Sequence, residues 1–353
     1  KDMAVYKIFP EKDATLYEQF PSMNTGLDQI LEASSFYTLG NRYNSRYLIQ
    51  FSTTEIQDVL NNTVTGTWDA YLKNYSATVS GLNTDTNLFI LTVSSSWNMG
   101  TGRYSDLPIV ENGCSWDFRT TSGSGNWASA GGDFYTSPVY SQSFAYSNPI
   151  DVNVLVTDTI HTWYSASSVP NDGFLVKLSS SIEDSTNLNI QPIFKNFSID
   201  TNTIYPPFLE IKFDDYIFDT GSSTNTILDN FESFMSIYNN AGEYYPQSIT
   251  RFRLAAIPKF PDRVFTTASL YTENYFLPEV SSSYAIKDSS TNEFVVDFDA
   301  TYTRISADSV SSYFDVYMNG LEPERQYTVL IKSIIGGVTK VWDEDLMFKV
   351  ING

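Results

Sequence analysis

The residues that could carry catalytic chemistry are few in this sequence. His161 is the only histidine and Cys114 the only cysteine. A zinc site built on His and Cys needs several such ligands, and a Ser-His-Asp arrangement would have to use His161. His161 lies between Ile160 and Trp163 in a segment typical of a core, so we interpret it as structural. Cys114 has no basic neighbour in the sequence that would activate its thiol, so we interpret it as a small buried hydrophobe.

Acidic residues give the remaining route to catalysis, because glycoside hydrolysis needs only two carboxylates. The chain has 41 Asp and Glu residues, so some pair is always available. The candidates near turns are Glu111, Asp117, Asp133, Asp214 and Asp215, but no spacing selects two of them. A structural calcium ion stays open, since oxygen-rich loops on β-sandwiches bind Ca²⁺, although the sequence contains no EF-hand loop. We therefore predict a non-enzymatic protein with no catalytic or cofactor-binding residues, and metal ligands stay unknown.

Three of the six tryptophans fall in one stretch, Leu88–Phe134, which we call the tryptophan crossover. Glycine-containing turns separate Trp97, Trp116 and Trp127 within it. Exposed tryptophans can stack on sugar rings, whereas tryptophans between tight turns can anchor a long crossover to the core of a β-sandwich. The alternation of glycine and tryptophan favours core anchors. Exposure of one of these rings, or of Trp163, would favour a carbohydrate platform instead.

The composition indicates an all-β protein. Tyr and Phe number 24 each, and charged residues make up only 18% of the 353 residues. This bias is typical of β-rich extracellular or virion proteins. Lys and Arg total 21 against 41 acids, giving a net charge of −20, and no basic run is present that could bind nucleic acid or anionic lipid. No apolar run is long enough for membrane insertion, and a single cysteine excludes an internal disulfide.

Alternating apolar residues predict strands along most of the chain. In Arg46–Phe51, the side chains of Tyr47, Ile49 and Phe51 share one face. Phe208–Phe213 shows the same alternation and predicts a half-buried strand that closes the first domain. These elements would position the tryptophan crossover above a sheet.

Four segments depart from the strand pattern. A short helix is predicted after Phe51, with Thr53 or Thr54 as its N-cap. Ile160–Trp163 is compatible with a strand end or a helical turn, and Leu228–Tyr238 with a short helix or an irregular strand. The acidic run Trp342–Asp345 is interpreted as a solvated loop.

Predicted strands recur at intervals of about 8–12 residues with turn signals between them, which is typical of β-sandwiches. The absence of strand–helix alternation excludes α/β folds. We predict a first domain in residues 1–215, an irregular linker in 216–245 and a second domain in 246–353. The linker includes Gly221–Asn225 as its most flexible part. In the last domain, Gly336-Gly337 predicts a two-residue hairpin.

The first domain resembles the DNRLRE family of surface and virion modules, which are similar to jelly-roll carbohydrate-binding modules. The matching segments cover about residues 10–215 in the family's order: Asn24-Thr25-Gly26, Arg46–Phe51, Trp97 with Gly100 and Gly102, Trp116, Trp127 with Gly131-Gly132-Asp133, Asp151-Val152, Trp163, Asn171–Phe174 and Pro207–Ile211. The resemblance implies an N-terminal jelly-roll β-sandwich without catalytic residues.

The second domain resembles segments that follow this module in large tailed bacteriophages: Phe252-Arg253-Leu254, Tyr284–Asp288 and Tyr313–Leu321. Leu321–Tyr327 is also similar to the tyrosine corner of immunoglobulin-like sandwiches, where a Tyr hydroxyl bonds to backbone a few residues upstream. The resemblance implies a smaller immunoglobulin-like β-sandwich after the jelly roll.

For function, the resemblance implies a non-enzymatic structural component of a tailed-phage virion: a decoration, neck, tail or fibre-attachment protein. Its expected partners are other virion structural proteins, in a homo-oligomer or multi-copy assembly. We expect folding in the host cytoplasm, since Lys1–Tyr6 lack the apolar core of a secretion signal. The alternative is a carbohydrate-binding adhesion module on a virion or extracellular surface, with a host glycan as partner.

Overall fold

The computed structural model describes residues 3–145, 151–165, 169–221, 226–260 and 275–352. Strands dominate these ranges, so the predicted all-β class is confirmed. The chain divides into two compact units. The N-terminal unit comprises residues 8–63 and 69–210, and the C-terminal unit comprises residues 1–7, 64–68 and 211–353. Of the predicted flexible segment Gly221–Asn225, all but Gly221 lies outside the described residues.

Twelve strands and three helices precede residue 215 in the described ranges. The strands are β1 (Met3–Ile8), β2 (Pro10–Tyr17), β3 (Ile30–Thr38), β4 (Asn41–Phe51), β5 (Trp68–Asn74), β6 (Ser76–Ser80), β7 (Thr86–Val93), β8 (Phe134–Phe144), β9 (Val152–Leu155), β10 (Phe174–Leu178), β11 (Ile193–Phe197) and β12 (Phe208–Asp214). The helices are α1 (Thr53–Asn62), α2 (Thr157–Tyr164) and α3 (Ser180–Glu183). Within the described ranges, no helix has the length and apolar character needed to cross a membrane.

The N-terminal unit is a sandwich of two sheets. The larger sheet has the order β6-β11-β3-β4-β10-β7-β8, and β2 pairs with residues 45–51 of β4. In the smaller sheet, β5 pairs antiparallel with β9. Tyr47, Ile49 and Phe51 are fully buried on one face of β4, while Leu48 packs on the other face beneath the tryptophan crossover. The predicted alternation in β4 is therefore confirmed, and both faces of this strand are covered.

The structure of two helices differs in detail from the sequence interpretation or decides between its alternatives. Helix α1 is capped by Ser52, whose hydroxyl accepts a hydrogen bond from the Glu55 amide at 3.5 Å, and not by Thr53 or Thr54. Ser52 keeps extended backbone, whereas Thr53 and Thr54 are already helical. The ambiguous segment Ile160–Trp163 belongs to α2 and is helical.

The C-terminal unit contributes nine further strands after residue 215. They are β13 (Ser233–Ile237), β14 (Glu243–Tyr244), β15 (Ile249–Pro258), β16 (Ser283–Asp288), β17 (Phe294–Val296), β18 (Ser306–Ala307), β19 (Ser312–Tyr317), β20 (Arg325–Ile335) and β21 (Val338–Val350), with a 3-10 turn at Met318–Gly320. They form two sheets, β13-β15-β19-β18 and β14-β21-β20-β16-β17.

This strand order is that of an immunoglobulin-like sandwich, which places the A, B, E and D strands in one sheet and the G, F and C strands in the other. Tyr327 lies near the start of β20, the strand equivalent to F, and its Oη donates to the Glu322 carbonyl at 3.0 Å. The predicted tyrosine corner and the immunoglobulin-like fold are therefore confirmed. The hairpin at Gly336-Gly337 is confirmed as well, because both glycines adopt positive φ between paired Ile335 and Val338.

Two segments expected to be irregular contain strands. Residues 216–245 include β13 and β14. Within the ambiguous Leu228–Tyr238, the part Ser233–Ile237 is strand β13, which pairs with β15. Trp342–Asp345 is part of β21, so its interpretation as a solvated loop is wrong. Trp342 is buried, and Glu344 Oε2 accepts the Met235 amide at 2.9 Å, which gives the acidic run a partner on a neighbouring strand.

Candidate functional site: the tryptophan crossover

The three indole rings of the tryptophan crossover point into the N-terminal unit. Trp97, Trp116 and Trp127 are 2%, 7% and 5% exposed. They cover one face of the larger sheet, where they pack against apolar side chains of β2, β4, β7 and β10: Ala14, Leu16, Leu48, Leu91, Val93 and Leu175. The interpretation as core anchors is confirmed. Trp163 is also buried, at 3% exposed, and its ring lies 4.9 Å from that of Phe174.

Polar groups fix the orientation of the buried rings. Trp97 Nε1 donates to the Asp172 carbonyl at 2.9 Å, and Trp127 Nε1 donates to the Ser115 carbonyl at 2.9 Å. The ammonium group of Lys12 lies 4.4 Å from the Trp97 ring centroid and donates to the Trp97 carbonyl at 2.7 Å. Burial lowers the pKa of Lys12. A desolvated cation over an indole face is a stabilising contact, so Lys12 ties β2 to the crossover.

A second link to the sheet runs through Arg46 on β4. Its guanidinium lies 5.0 Å from the Trp116 ring centroid and donates from Nη1 to the Gly131 carbonyl at 3.0 Å. The Arg46 Nε and Nη2 atoms bind both oxygens of Glu183 at 3.0 and 2.8 Å, and Lys177 binds the same carboxylate at 2.6 Å. Removing one member of such a buried charge network leaves the others uncompensated. These charges therefore hold the crossover in place.

Asn24 binds three separate parts of the crossover. Its Nδ2 donates to the carbonyls of Met99 at 2.6 Å and Cys114 at 2.9 Å. Its Oδ1 accepts the amides of Gly102 at 2.8 Å and Gly26 at 3.3 Å. The side chain is fully buried and its hydrogen-bonding capacity is used completely. Asn24 is therefore the hub of the crossover.

The glycines around Asn24 are required for close packing. A Cβ on Gly26 would lie 2.1 Å from the Met99 carbonyl oxygen, and a Cβ on Gly100 would lie 2.3 Å from Asn24 Oδ1. Gly100 also adopts φ +79°, which side chains rarely allow. The Asn24-Thr25-Gly26 segment and the Gly-Thr-Gly turn after Trp97 thus serve one packed junction.

Apolar side chains in and beside the crossover are exposed to solvent. We call Phe20, Tyr104, Leu107 and Ile109 the outer patch; their exposed fractions are 36%, 50%, 93% and 39%. The rings of Tyr104 and Phe20 lie 6.0 Å apart. Sequence interpretation missed this patch, because alternation of apolar residues does not indicate which loop side chains face outwards.

The acidic candidates lie in two different parts of the chain. Glu111, Asp117 and Asp133 lie in the crossover, whereas Asp214 and Asp215 lie in the C-terminal unit. Both Asp133 oxygens accept turn amides, from residues 128 and 129, at 2.9 Å. Glu111 accepts the Ser22 hydroxyl at 2.7 Å. The backbone of Asp117 makes two hydrogen bonds: its amide donates to the carbonyl of residue 21, and its carbonyl accepts from the amide of residue 127. The bonds of Asp133 and Glu111 are structural.

Asp215 is the most perturbed of the acidic candidates. Burial, and secondarily the neighbouring Asp315 carboxylate, raises the pKa of Asp215 to about 7. Asp315 is held by Arg251 in a bidentate pair with two distances of 2.9 Å. A carboxylate whose two oxygens are engaged by a guanidinium is poorly placed to act as a nucleophile or base, so the two acids make no glycosidase-like arrangement.

His161 and Cys114 differ in exposure. Cys114 is fully buried, which raises the pKa of its thiol to about 12, and its interpretation as a buried hydrophobe is confirmed. His161 is exposed, so its placement in the core is wrong. The helical period of α2 buries Ile160 and Trp163 and turns His161 outwards. In the described ranges, no three His, Cys, Asp or Glu side chains are grouped to hold a metal ion.

Comparison with known proteins assigns no family. No protein-family model matches the sequence, and neither does any curated protein. Among solved structures, the chain is similar to the adhesin domain of Epf from Streptococcus pyogenes, at 10% sequence identity. That similarity covers 92% of this chain and 78% of the other, with a TM-score of 0.18. A similarity at this level carries no functional assignment.

Proposed function

We propose that this protein is a non-enzymatic structural component of a tailed-phage virion, acting through contacts with other virion proteins. The observation that carries the assembly role is the division of the tryptophan crossover into two sides. Its buried side uses aromatic, amide and charged groups for internal contacts, and its solvent side displays the apolar outer patch. The virion setting itself comes from the resemblance of the sequence to phage modules.

The outer patch has the composition of a protein-binding surface. Leu107 is 93% exposed, and the partly exposed rings of Phe20 and Tyr104 lie 6.0 Å apart. Clustered exposed apolar residues mark interaction sites, and aromatic side chains in particular are enriched where proteins bury each other's surface. Leu107 and Ile109 offer no group that could hydrogen-bond to a sugar. The occupant proposed for this patch is a neighbouring virion subunit with an apolar surface.

A glycan-binding role loses its main support in this structure. The carbohydrate alternative required an exposed tryptophan, and Trp97, Trp116, Trp127 and Trp163 are all at most 7% exposed. Sugar-stacking rings must present a face to solvent. Binding of wild-type protein to a glycan array, lost on Tyr104→Ala, would favour adhesion over assembly.

Mass spectrometry of purified particles tests the proposed setting. We expect the protein in stoichiometric amounts in virions, and its absence from them would overturn the proposal. The surface is tested by complementing a phage that lacks the gene with Leu107→Asp. The matched control is Leu39→Asp, because Leu39 is 88% exposed in the β3–β4 turn and lies outside the patch. Leu107→Asp should melt like wild type but fail to enter particles, whereas equal incorporation of both variants would contradict the role of the patch.

A further inference from the structure

A polar cluster lies inside the sandwich of the N-terminal unit. Tyr47 on β4 points its hydroxyl between Asn74, at the end of β5, and Asn196 on β11. Both carboxamide nitrogens donate to the Tyr47 hydroxyl, at 3.5 and 3.2 Å. All three residues are at most 1% exposed. The cluster therefore connects strands of both sheets at a place that water does not reach.

Two carboxylates belong to the same region. Asp13 on β2 is 1% exposed, and its Oδ2 accepts the Ile199 amide at 2.8 Å, three residues after Asn196. Asp200 follows directly. The charge of Asp13 acts on Tyr47, and the charges of Asp200 and Asp28 act on Asp13. This arrangement places two carboxyl groups near the amide cluster.

The cluster has more acceptors than donors. Four buried oxygens receive no hydrogen bond from the residues that the structure describes: Asp13 Oδ1, Asn74 Oδ1, Asn196 Oδ1 and Asp200 Oδ2. Burying unpartnered oxygens is costly, and burying an uncompensated carboxylate more so. Burial raises the pKa of Asp13 to about 8, and no basic side chain is among the groups that act on it. A cation bound among these side chains would supply the partner that their oxygens lack.

The donor set indicates which cation. All the orphaned atoms are oxygens, from two carboxylates and two carboxamides, so the site lacks the sulfur and nitrogen ligands that zinc prefers. Ca²⁺ accepts six to eight such oxygens in flexible geometry, whereas Mg²⁺ demands near-ideal octahedral geometry and keeps its waters. Two carboxylates also balance one divalent charge.

We propose that Asp13, Asp200, Asn74 and Asn196 form a Ca²⁺ site that links β2, β5 and β11 across the two sheets of the N-terminal unit. The site uses only two acidic residues and takes its other oxygens from carboxamides. Bound Ca²⁺ stabilises the folded unit because the unfolded chain does not assemble these ligands. The role is structural and independent of the proposed virion function.

Calorimetric melting of the full chain in millimolar CaCl₂ and in EDTA tests this site. We expect a higher melting temperature with Ca²⁺, and one Ca²⁺ per chain by equilibrium dialysis. Tb³⁺ provides a second measurement, since it occupies oxygen-rich calcium sites and its emission is sensitised by a nearby tyrosine such as Tyr47. Asp13→Asn and Asp200→Asn should each abolish the Ca²⁺-dependent shift and the Ca²⁺-displaceable Tb³⁺ emission.

The matched control is Asp229→Asn, which removes an exposed acid from the other unit and should retain both signals. It separates a specific site from general attraction of cations to a protein of charge −20. If wild type shows no Ca²⁺-dependent shift and no displaceable Tb³⁺ emission, the proposal is wrong and the oxygens are satisfied by internal water or a proton on Asp13. Signals unchanged in both Asp13→Asn and Asp200→Asn would also overturn it.

Discussion

Replacing Asn24 with alanine should destabilise the N-terminal unit more than truncation of any polar side chain within the crossover itself. The change removes four hydrogen bonds and leaves four backbone groups without partners: the carbonyls of Met99 and Cys114 and the amides of Gly102 and Gly26. Each unsatisfied buried group costs about 1–3 kcal/mol. Taking the lower end for all four gives a loss of roughly 4 kcal/mol, or roughly 10 °C in melting temperature for a unit of this size.

Denaturant unfolding followed by tryptophan fluorescence measures this loss in unfolding free energy. The signal reports on the region around Asn24, because Trp97, Trp116 and Trp127 belong to the crossover that Asn24 binds. Asn112→Ala is the matched control. Asn112 also bonds within the crossover, to the Thr101 amide at 3.0 Å and hydroxyl at 2.8 Å, but it does so at the exposed surface. Its loss should cost under about 1 kcal/mol, since water replaces the missing partner.

Asn24→Asp refines the test, because it keeps the size of the side chain and the acceptor for the Gly102 amide. The ionised side chain cannot donate to the Met99 and Cys114 carbonyls, so this variant should also be destabilised, and it should regain stability when low pH protonates the carboxyl group. If Asn24→Ala unfolds within about 1 kcal/mol of Asn112→Ala, the hub does not hold the crossover, and its bonds in the structure are energetically unimportant.

Three further predictions concern other parts of the chain. Trp97→Ala should cost roughly 3–5 kcal/mol in denaturant unfolding, as large core deletions do, and a variant that unfolds like wild type would refute the core role of this ring. Tyr327→Phe removes the bond to the Glu322 carbonyl and should cost about 1–3 kcal/mol, measured by calorimetry of the C-terminal transition. Asp215, whose pKa is raised to about 7 by burial, binds a proton more tightly folded than unfolded. The C-terminal unit should therefore lose stability as pH rises from about 4 to about 7, and Asp215→Asn should flatten that decline in a series of melts.

Short sequence patterns predicted those features that depend on residues close together in the chain. The faces of β4 follow from residue spacing, because side chains alternate along a strand. The position of the tyrosine corner came from the resemblance of Leu321–Tyr327 to immunoglobulin-like sandwiches. The glycine–tryptophan order of the crossover likewise predicted buried anchors. These features depend on a few consecutive residues, which is the range that sequence interpretation covers well.

Contacts between distant residues were not predictable. Asn24 was recognised as part of a turn, but three of its four side-chain partners lie 75 or more residues away, and no local pattern indicates them. Strand β21 was misinterpreted as a loop at Trp342–Asp345 because its acidic residues indicated solvent. Asp343 and Glu344 are exposed, but their strand pairs with β20, a contact that the local sequence does not indicate. The exposure of His161 could not be predicted while the segment was compatible with both a strand and a helix. A strand would place His161 on the same face as the buried Trp163, whereas helix α2 places it on the exposed face.

A density map of the intact particle is the most direct test of the assembly role. The proposal predicts density for both units of this chain in every structural copy, with Phe20, Tyr104, Leu107 and Ile109 covered by an apolar surface of a neighbouring subunit. A map without this protein, or one in which the outer patch faces solvent in every copy, would contradict it.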